Sequence, residues 1–216
     1  MKTKVAVIGL GAFGSTVALE LSRLGHDVLG IDSNSGRTNA LADQLTQAVT
    51  ADARDERVLR ELGVHDCDVV VVAIGEDIEA NILTTLVVKS MPKPRVWAKA
   101  LNHNHHRILE KLGADHIVHP EHEMGLRVAR TLIYPDVLDY INLGDDQFIS
   151  EVQASERLSG KTIVALNLEQ YDVKCLLIKH LDQILSPAPP EHVFTLGDQI
   201  VLLGKLPHLR KVSRFL

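Results

Sequence analysis

The 216-residue chain predicts an α/β protein: a Rossmann-type doubly wound parallel sheet, a crossover helix, and a smaller α+β C-terminal lobe. Three observations carry this. From Val5 to His119 short β-branched runs alternate with longer stretches of helical period. A glycine loop, Gly9-Leu10-Gly11-Ala12-Phe13-Gly14, falls between the first strand-like run and the first helix-like one. After Pro120 the βα rhythm stops.

Six strands are expected, over Val5–Gly9, Val28–Asp32, Gln47–Ala51, Val69–Gly75, Arg95–Ala100 and His116–His119. The four valines from Val69 suit a strand covered on both faces, and the sheet order by analogy is 3-2-1-4-5-6. Between the strands, Phe13, Val17, Leu21 and Leu24 share one helical stripe, as do Ile78, Ile82 and Leu86, and both stripes read as core. Met91-Pro92-Lys93-Pro94 stops the fourth helix, because proline lacks the donor that continuation needs. Residues 1–120 form the nucleotide-binding lobe on this reading, 121–134 the crossover helix, and 135–216 the second lobe.

The crossover stretch places Met124, Leu126, Val128, Ala129, Leu132 and Ile133 over an arc of about 200°, leaving Arg127 and Arg130 as a narrow charged strip. An arc this wide predicts packing on two sides, against the chain itself and against another subunit. Beyond Tyr134-Pro135, strands are expected near Phe148–Ala154, Lys174–His180, Gln183–Ser186 and Gln199–Leu203, with a closing helix from Pro207 to Phe215. So small a lobe has difficulty burying a core alone, which again favours pairing between chains.

Composition narrows the function classes. No run offers the ~18 apolar residues of a membrane span, the N-terminus lacks a secretory apolar region, and the expected location is cytoplasmic. Cys67 and Cys175 make no Cys-x-x-Cys pair or disulfide framework. A net charge of −5 gives no global positive field, so no nucleic-acid partner is expected.

The glycine loop carries the chemistry. Gly9 permits the tight turn, Gly11 lets backbone approach a phosphate, and Gly14 allows close packing of helix on strand, while the helix start presents N–H groups and a positive dipole end. Asp32 ends the second strand 18 residues after Gly14, where a carboxylate accepts from both ribose hydroxyls and repels a 2′-phosphate. NADP is disfavoured; NAD(H), ATP, ADP and AMP remain open. His103, His105 and His106 precede a predicted helix without converging carboxylates or cysteines and read as a solvated helix start rather than a metal site.

Across most of its length the sequence resembles the RCK proteins, the TrkA/KtrA-type cytosolic regulatory subunits of bacterial potassium transporters. The residues behind the resemblance are Val7-Ile-Gly-Leu-Gly-Ala-Phe-Gly14, Val72-Ala-Ile-Gly75, Val96-Trp-Ala-Lys-Ala100, the run from Leu109 to Glu121, Met124-Gly-Leu-Arg-Val-Ala129, Ile178-Lys-His180 and Leu185-Ser-Pro-Ala-Pro189. The resemblance implies a dimer built on the crossover helix, an octameric ring beneath a membrane-embedded potassium-translocating subunit, and gating without catalysis. It places Gly9, Gly11, Ala12, Phe13 and Gly14 at the phosphates, with Ala73, Ile74 and Gly75 at the end of the fourth strand. It places Asp32 at the ribose, Asp52 at the adenine amino group, and Lys99 and Glu121 nearest the terminal phosphate.

The resemblance also implies a bound divalent cation such as Mg2+ with Glu121 as its metal partner, which suits a carboxylate that a triphosphate would otherwise repel. Many KtrA-type loops carry an arginine where this chain has Ala12, and that arginine reaches the γ-phosphate across the dimer. The family's cyclic di-AMP site in the C-lobe uses an arginine near the positions of Glu169 and Gln170 here. The alternative from another class is a small NAD-dependent oxidoreductase, for which the sequence shows no acid/base constellation.

Overall fold

The computed structural model describes residues 2–133 and 137–213. The chain divides into two compact units, Met1–Glu123 and Met124–Leu216. The expected boundary at Tyr134-Pro135 lies outside the described residues, as does Phe215 at the end of the expected last helix.

The first unit begins with β1 (Lys4–Ile8), α1 (Ala12–Arg23), β2 (Asp27–Asp32), α2 (Ser35–Leu41) and β3 (Gln47–Thr50). It continues through α3 (Glu56–Glu61), β4 (Val69–Val72), α4 (Ile78–Lys89), β5 (Arg95–Lys99), α5 (His103–Lys111) and β6 (His116–Val118). All strand pairs are parallel, in the order β3-β2-β1-β4-β5-β6. The reversal of order at β1 opens a crevice beyond the carboxyl ends of β1 and β4, where ligands of doubly wound sheets bind. Ala6, Val7, Ile8, Val70 and Val72 are buried and hold the centre of this sheet.

Two helical stripes do not pack as expected. Phe13, Val17 and Leu21 lean on the core beside β1, but Leu24, at the end of α1, is 58% exposed. In α4 the inward face is Asn81, Thr84, Thr85 and Val88, whereas Ile78 and Leu86 are exposed. The reason lies in the strand ends: Asn81 donates its amide to the carbonyls of Ile74 and Lys99, at 2.7 and 3.2 Å, which an aliphatic side chain would leave unpaired.

His105 also departs from expectation. It lies in the first turn of α5 and is buried, its Nδ1 accepting from the Leu101 N–H, and burial lowers its pKa. His106 and His119 stack on one another with ring nitrogens 2.8 Å apart.

Helix α6 (Pro120–Ile133) runs from the first unit into the second. None of the described side chains from Glu121 to Ala129 is buried, so the expected cover from the chain itself is not seen. Met124, Leu126, Val128 and Leu132 are exposed by 43 to 76%. The side chains of Arg130 and Ile133 lie outside the description.

The second unit is an antiparallel sheet of β7 (Val137–Gly144), β8 (Gln147–Gln153), β9 (Lys174–His180), β10 (Gln183–Leu185) and β11 (Gln199–Lys205), in the order β10-β9-β11-β8-β7. Helix α7 (Leu206–Ser213) follows, and its Leu209 and Val212 close a core around Phe148, Leu158, Ile178, Phe194, Ile200 and Leu202. Strand β7 was not foreseen; it turns into β8 through Asp145 and Asp146, both at positive φ, the backbone of a tight hairpin. No helix among the described residues is long and apolar enough to cross a membrane.

Candidate functional site

A cleft of about 460 Å³ lies at the crevice above β1 and β4. Of the residues expected to bind nucleotide, Gly9, Gly11, Ala12, Phe13, Asp32, Asp52, Ala73, Ile74, Gly75, Lys99 and Glu121 all line it. Gly14 sits behind its wall.

Backbone geometry explains the glycines individually. Gly9 has φ +94° and donates its N–H to the Ile31 carbonyl at 2.7 Å; a Cβ there would lie 2.8 Å from the Ile74 nitrogen. At Gly14 a Cβ would come 1.8 Å from the Gly9 carbonyl oxygen, so α1 reaches the β1 turn only because that position is bare. Gly11 differs: no atom stands within 4 Å of its missing Cβ, and the empty space is the cleft itself. No side chain caps the start of α1 at Gly11, so no cap stands between the helix N-terminus and the cleft.

Asp32 is buried at the end of β2. One carboxylate oxygen accepts from the Leu10 N–H at 2.6 Å and the other from the Asn34 N–H at 2.8 Å. The oxygen bound by Asn34 keeps a further lone-pair direction, while the one bound by Leu10 also faces Arg37. The glycine loop and the acid are thus one hydrogen-bonded unit. Arg37, on α2, stands 3.5 Å from Asp32 and 3.0 Å from Glu76, held between two acids.

Asp52 is half exposed, and both its oxygens meet the Arg54 guanidinium, the closest contact being 2.6 Å; these hydrogen bonds hold its carboxyl below the usual carboxylate range. At the other end Lys99 is buried, with its ammonium on the Glu121 carboxylate and 5.9 Å from the Phe13 ring centre. The Lys99 hydrogen bond lowers the Glu121 pKa against the opposing effect of burial. A Cβ on Gly75 would come 2.8 Å from the Lys99 nitrogen, so that glycine makes room for the ammonium. One Glu121 oxygen is thus held by the Lys99 ammonium, and the carboxylate, largely exposed, turns its other oxygen to the cleft mouth.

Sequence reading missed Arg37, Arg54 and Glu76. Arg37 had a usable signal, being a base shortly after the strand-end acid in a Rossmann frame, where ribose substituents are read. Arg54 and Glu76 had none, since their partners are set by loop conformation. The lining carries five acids (Asp32, Asp52, Glu76, Asp77, Glu121) against three bases (Arg37, Arg54, Lys99). Glu169 and Gln170, in the second unit, are exposed.

The comparisons with known proteins decide the family. The TrkA-N domain model matches residues 5–120, more than half of the chain. Over 212 residues, 97% of this chain and 94% of the relative, the sequence is 44% identical to the Ktr system potassium uptake protein A of Bacillus subtilis. The chain belongs to the TrkA-N (RCK) family, in its Ktr branch. The Ktr system potassium uptake protein C of the same organism is 37% identical over 216 residues, covering 100% of this chain and 96% of that one. Membership of this potassium-uptake family decides against the oxidoreductase alternative. Among solved structures, the GsuK channel bound to NAD superposes with a TM-score of 0.65 at 19% identity; it matches 100% of this chain, which spans 39% of that channel's length, and it shows the shared fold alone.

Proposed function

We propose that this Ktr-family regulatory subunit senses the adenine-nucleotide state of the cell through the cleft above β1 and β4, and that the ligand biases a ring of subunits gating a membrane-embedded potassium-translocating partner. The observation that carries the reading is the Asp32 carboxylate, buried, tied to the glycine loop through Leu10 N–H, and still able to accept from ribose. ATP or ADP lies with its ribose on Asp32, adenine toward Asp52 and Arg54, and phosphates over Gly11, Ala12 and Phe13. Lys99 is the base nearest the terminal phosphate. NAD(H) shares the adenosine half and is an alternative occupant; a channel of the same fold is bound to NAD. Buried Asp32, at the ribose position, repels a 2′-phosphate, which disfavours NADP.

The acidic excess of the lining favours nucleotide that arrives with a divalent cation such as Mg2+, bound by Glu121 after Lys99 turns to phosphate. Two unpartnered apolar faces support assembly. One is α6 with Val128 and Leu132, which pairs two copies; the other is Ile78 and Leu86 of α4 with Ile108 of α5, which joins dimers into a ring such as an octamer. The subunit sits at the cytoplasmic face of the membrane, held there by its transporter partner. At the C-lobe, Glu169 and Gln170 offer no guanidinium to the phosphates of cyclic di-AMP, and that ligand is expected to bind weakly.

The test is calorimetric titration of ATP and ADP into the purified chain with Mg2+ and with chelator. Without an arginine at Ala12 the γ-phosphate lacks a charge-assisted contact of ~1.5–3 kcal/mol. ATP and ADP should therefore bind with similar affinity in chelator, Mg2+ should favour ATP, and Ala12→Arg should raise the ATP preference. An ATP preference above about 30-fold in chelator, about 2 kcal/mol, contradicts this account of the phosphate end.

A further inference from the structure

The second unit contains a cluster that nucleotide sensing does not use. His180 closes β9, His192 lies in the segment 186–198, and Asp198 immediately precedes β11. Gln199 pairs with Lys179 in the antiparallel β9/β11 ladder, so Asp198 stands opposite His180. His180 Nδ1 is 2.7 Å from one oxygen of Asp198 and His192 Nε2 is 2.9 Å from the other, and a ligand atom from each of the three residues lies within 4.8 Å of the others. The Asp198 side chain is 2% exposed and that of His192 12%, while His180, at 32%, leaves a way in from solvent.

We propose that His180, His192 and Asp198 form a binding site for a first-row transition-metal ion of the zinc class. Two imidazole nitrogens and one carboxylate are the donor set that such ions prefer over calcium or magnesium, with water completing the coordination. Metal–ligand bonds of 2.0–2.1 Å in tetrahedral array put donor atoms about 3.3 Å apart, so the two imidazole nitrogens, now on different Asp198 oxygens, have to converge on one ion as it replaces their protons. The Thr195 N–H and hydroxyl, each 3.0 Å from an Asp198 oxygen, orient the carboxylate as outer partners do in metal centres. The ion ties the end of β9 to the 186–198 segment, and its removal loosens that segment.

The spacing His180…His192…Asp198 matches no helical or paired metal motif, and only the β9/β11 register brings the three together. The full chain, stripped with chelator and nucleotide-free, is titrated with Co2+ as probe and followed by visible ligand-field absorption, then by displacement with Zn2+. Imidazole-type bands should saturate at one ion per chain at this site. His192→Ala should weaken that binding more than about 100-fold, and Thr195→Val, which removes only an outer partner, by about 10- to 100-fold. His106→Ala, which alters the other histidine pair, should leave it unchanged. Absence of Co2+ bands in the wild-type chain means that the cluster is a hydrogen-bond knot only and overturns the proposal. So does binding that His192→Ala and Thr195→Val both leave intact; if His192→Ala does not fold, by circular dichroism, the wild-type titration and Thr195→Val decide.

Discussion

Replacing Gly14 with alanine should destabilise the nucleotide-binding unit by more than about 3 kcal/mol, although alanine is the better helix former by ~1 kcal/mol. The new methyl would sit 1.8 Å from the Gly9 carbonyl oxygen and 3.1 Å from Ala73 Cβ, so α1 has to lift off the β1 and β4 ends. Backbone at that contact cannot rotate away as a side chain would. Gly11→Ala is the contrasting case: φ is −68° and nothing lies within 4 Å, so stability should change by less than ~0.5 kcal/mol while nucleotide affinity falls. Trp97, the chain's single tryptophan, lies on β5 and reports this unit in urea unfolding. A Gly14→Ala midpoint equal to or above that of the wild type contradicts the packing argument, and unaltered nucleotide affinity in Gly11→Ala contradicts the approach of phosphate to that backbone.

Charges on the crossover helix should abolish the assembly. In Val128→Asp/Leu132→Asp each two-fold-related interface would have to bury four carboxylates on apolar positions, and an unpaired buried charge costs about 2–5 kcal/mol. The wild-type chain should sediment as a dimer or larger at micromolar concentration, and the double variant as a folded monomer with unchanged circular dichroism. Both residues are at least half exposed in the single chain, so nothing inside the subunit should suffer. A double variant that stays assembled removes α6 from the interface.

The parallel sheet was legible because its determinants are local: β-branched runs buried on both faces, glycines where φ or a neighbouring backbone demands them, and an acid at a strand end. The order β3-β2-β1-β4-β5-β6 follows from such units with right-handed crossovers. Helix α4 was misread because hydrophobic period assumes that the inward face is apolar, and here it carries Asn81, Thr84 and Thr85. The open carbonyls of Ile74 and Lys99 draw an amide into the interior, and the aliphatic side chains are left outside. The Lys99–Glu121 pair was hidden for a different reason: both residues were singled out as phosphate neighbours, but their charges cancel each other across 22 positions. Strand β7 is marked only by the turn after it, two aspartates at positive φ, a weaker signal than the glycine turns of the first unit.

The central claim, that the cleft holds an adenine nucleotide by its ribose, is tested most directly by titrating ADP into wild-type and Asp32→Ala protein in the calorimeter. Because Asp32 also accepts from the buried Leu10 N–H, thermal unfolding without nucleotide must accompany the titration, so that only folded variant is compared. The account predicts saturable binding at one site per chain in the wild type and a loss of ~1.5–3 kcal/mol in the variant, about 10- to 150-fold in affinity. Equal ADP affinity in wild-type and folded Asp32→Ala protein contradicts it.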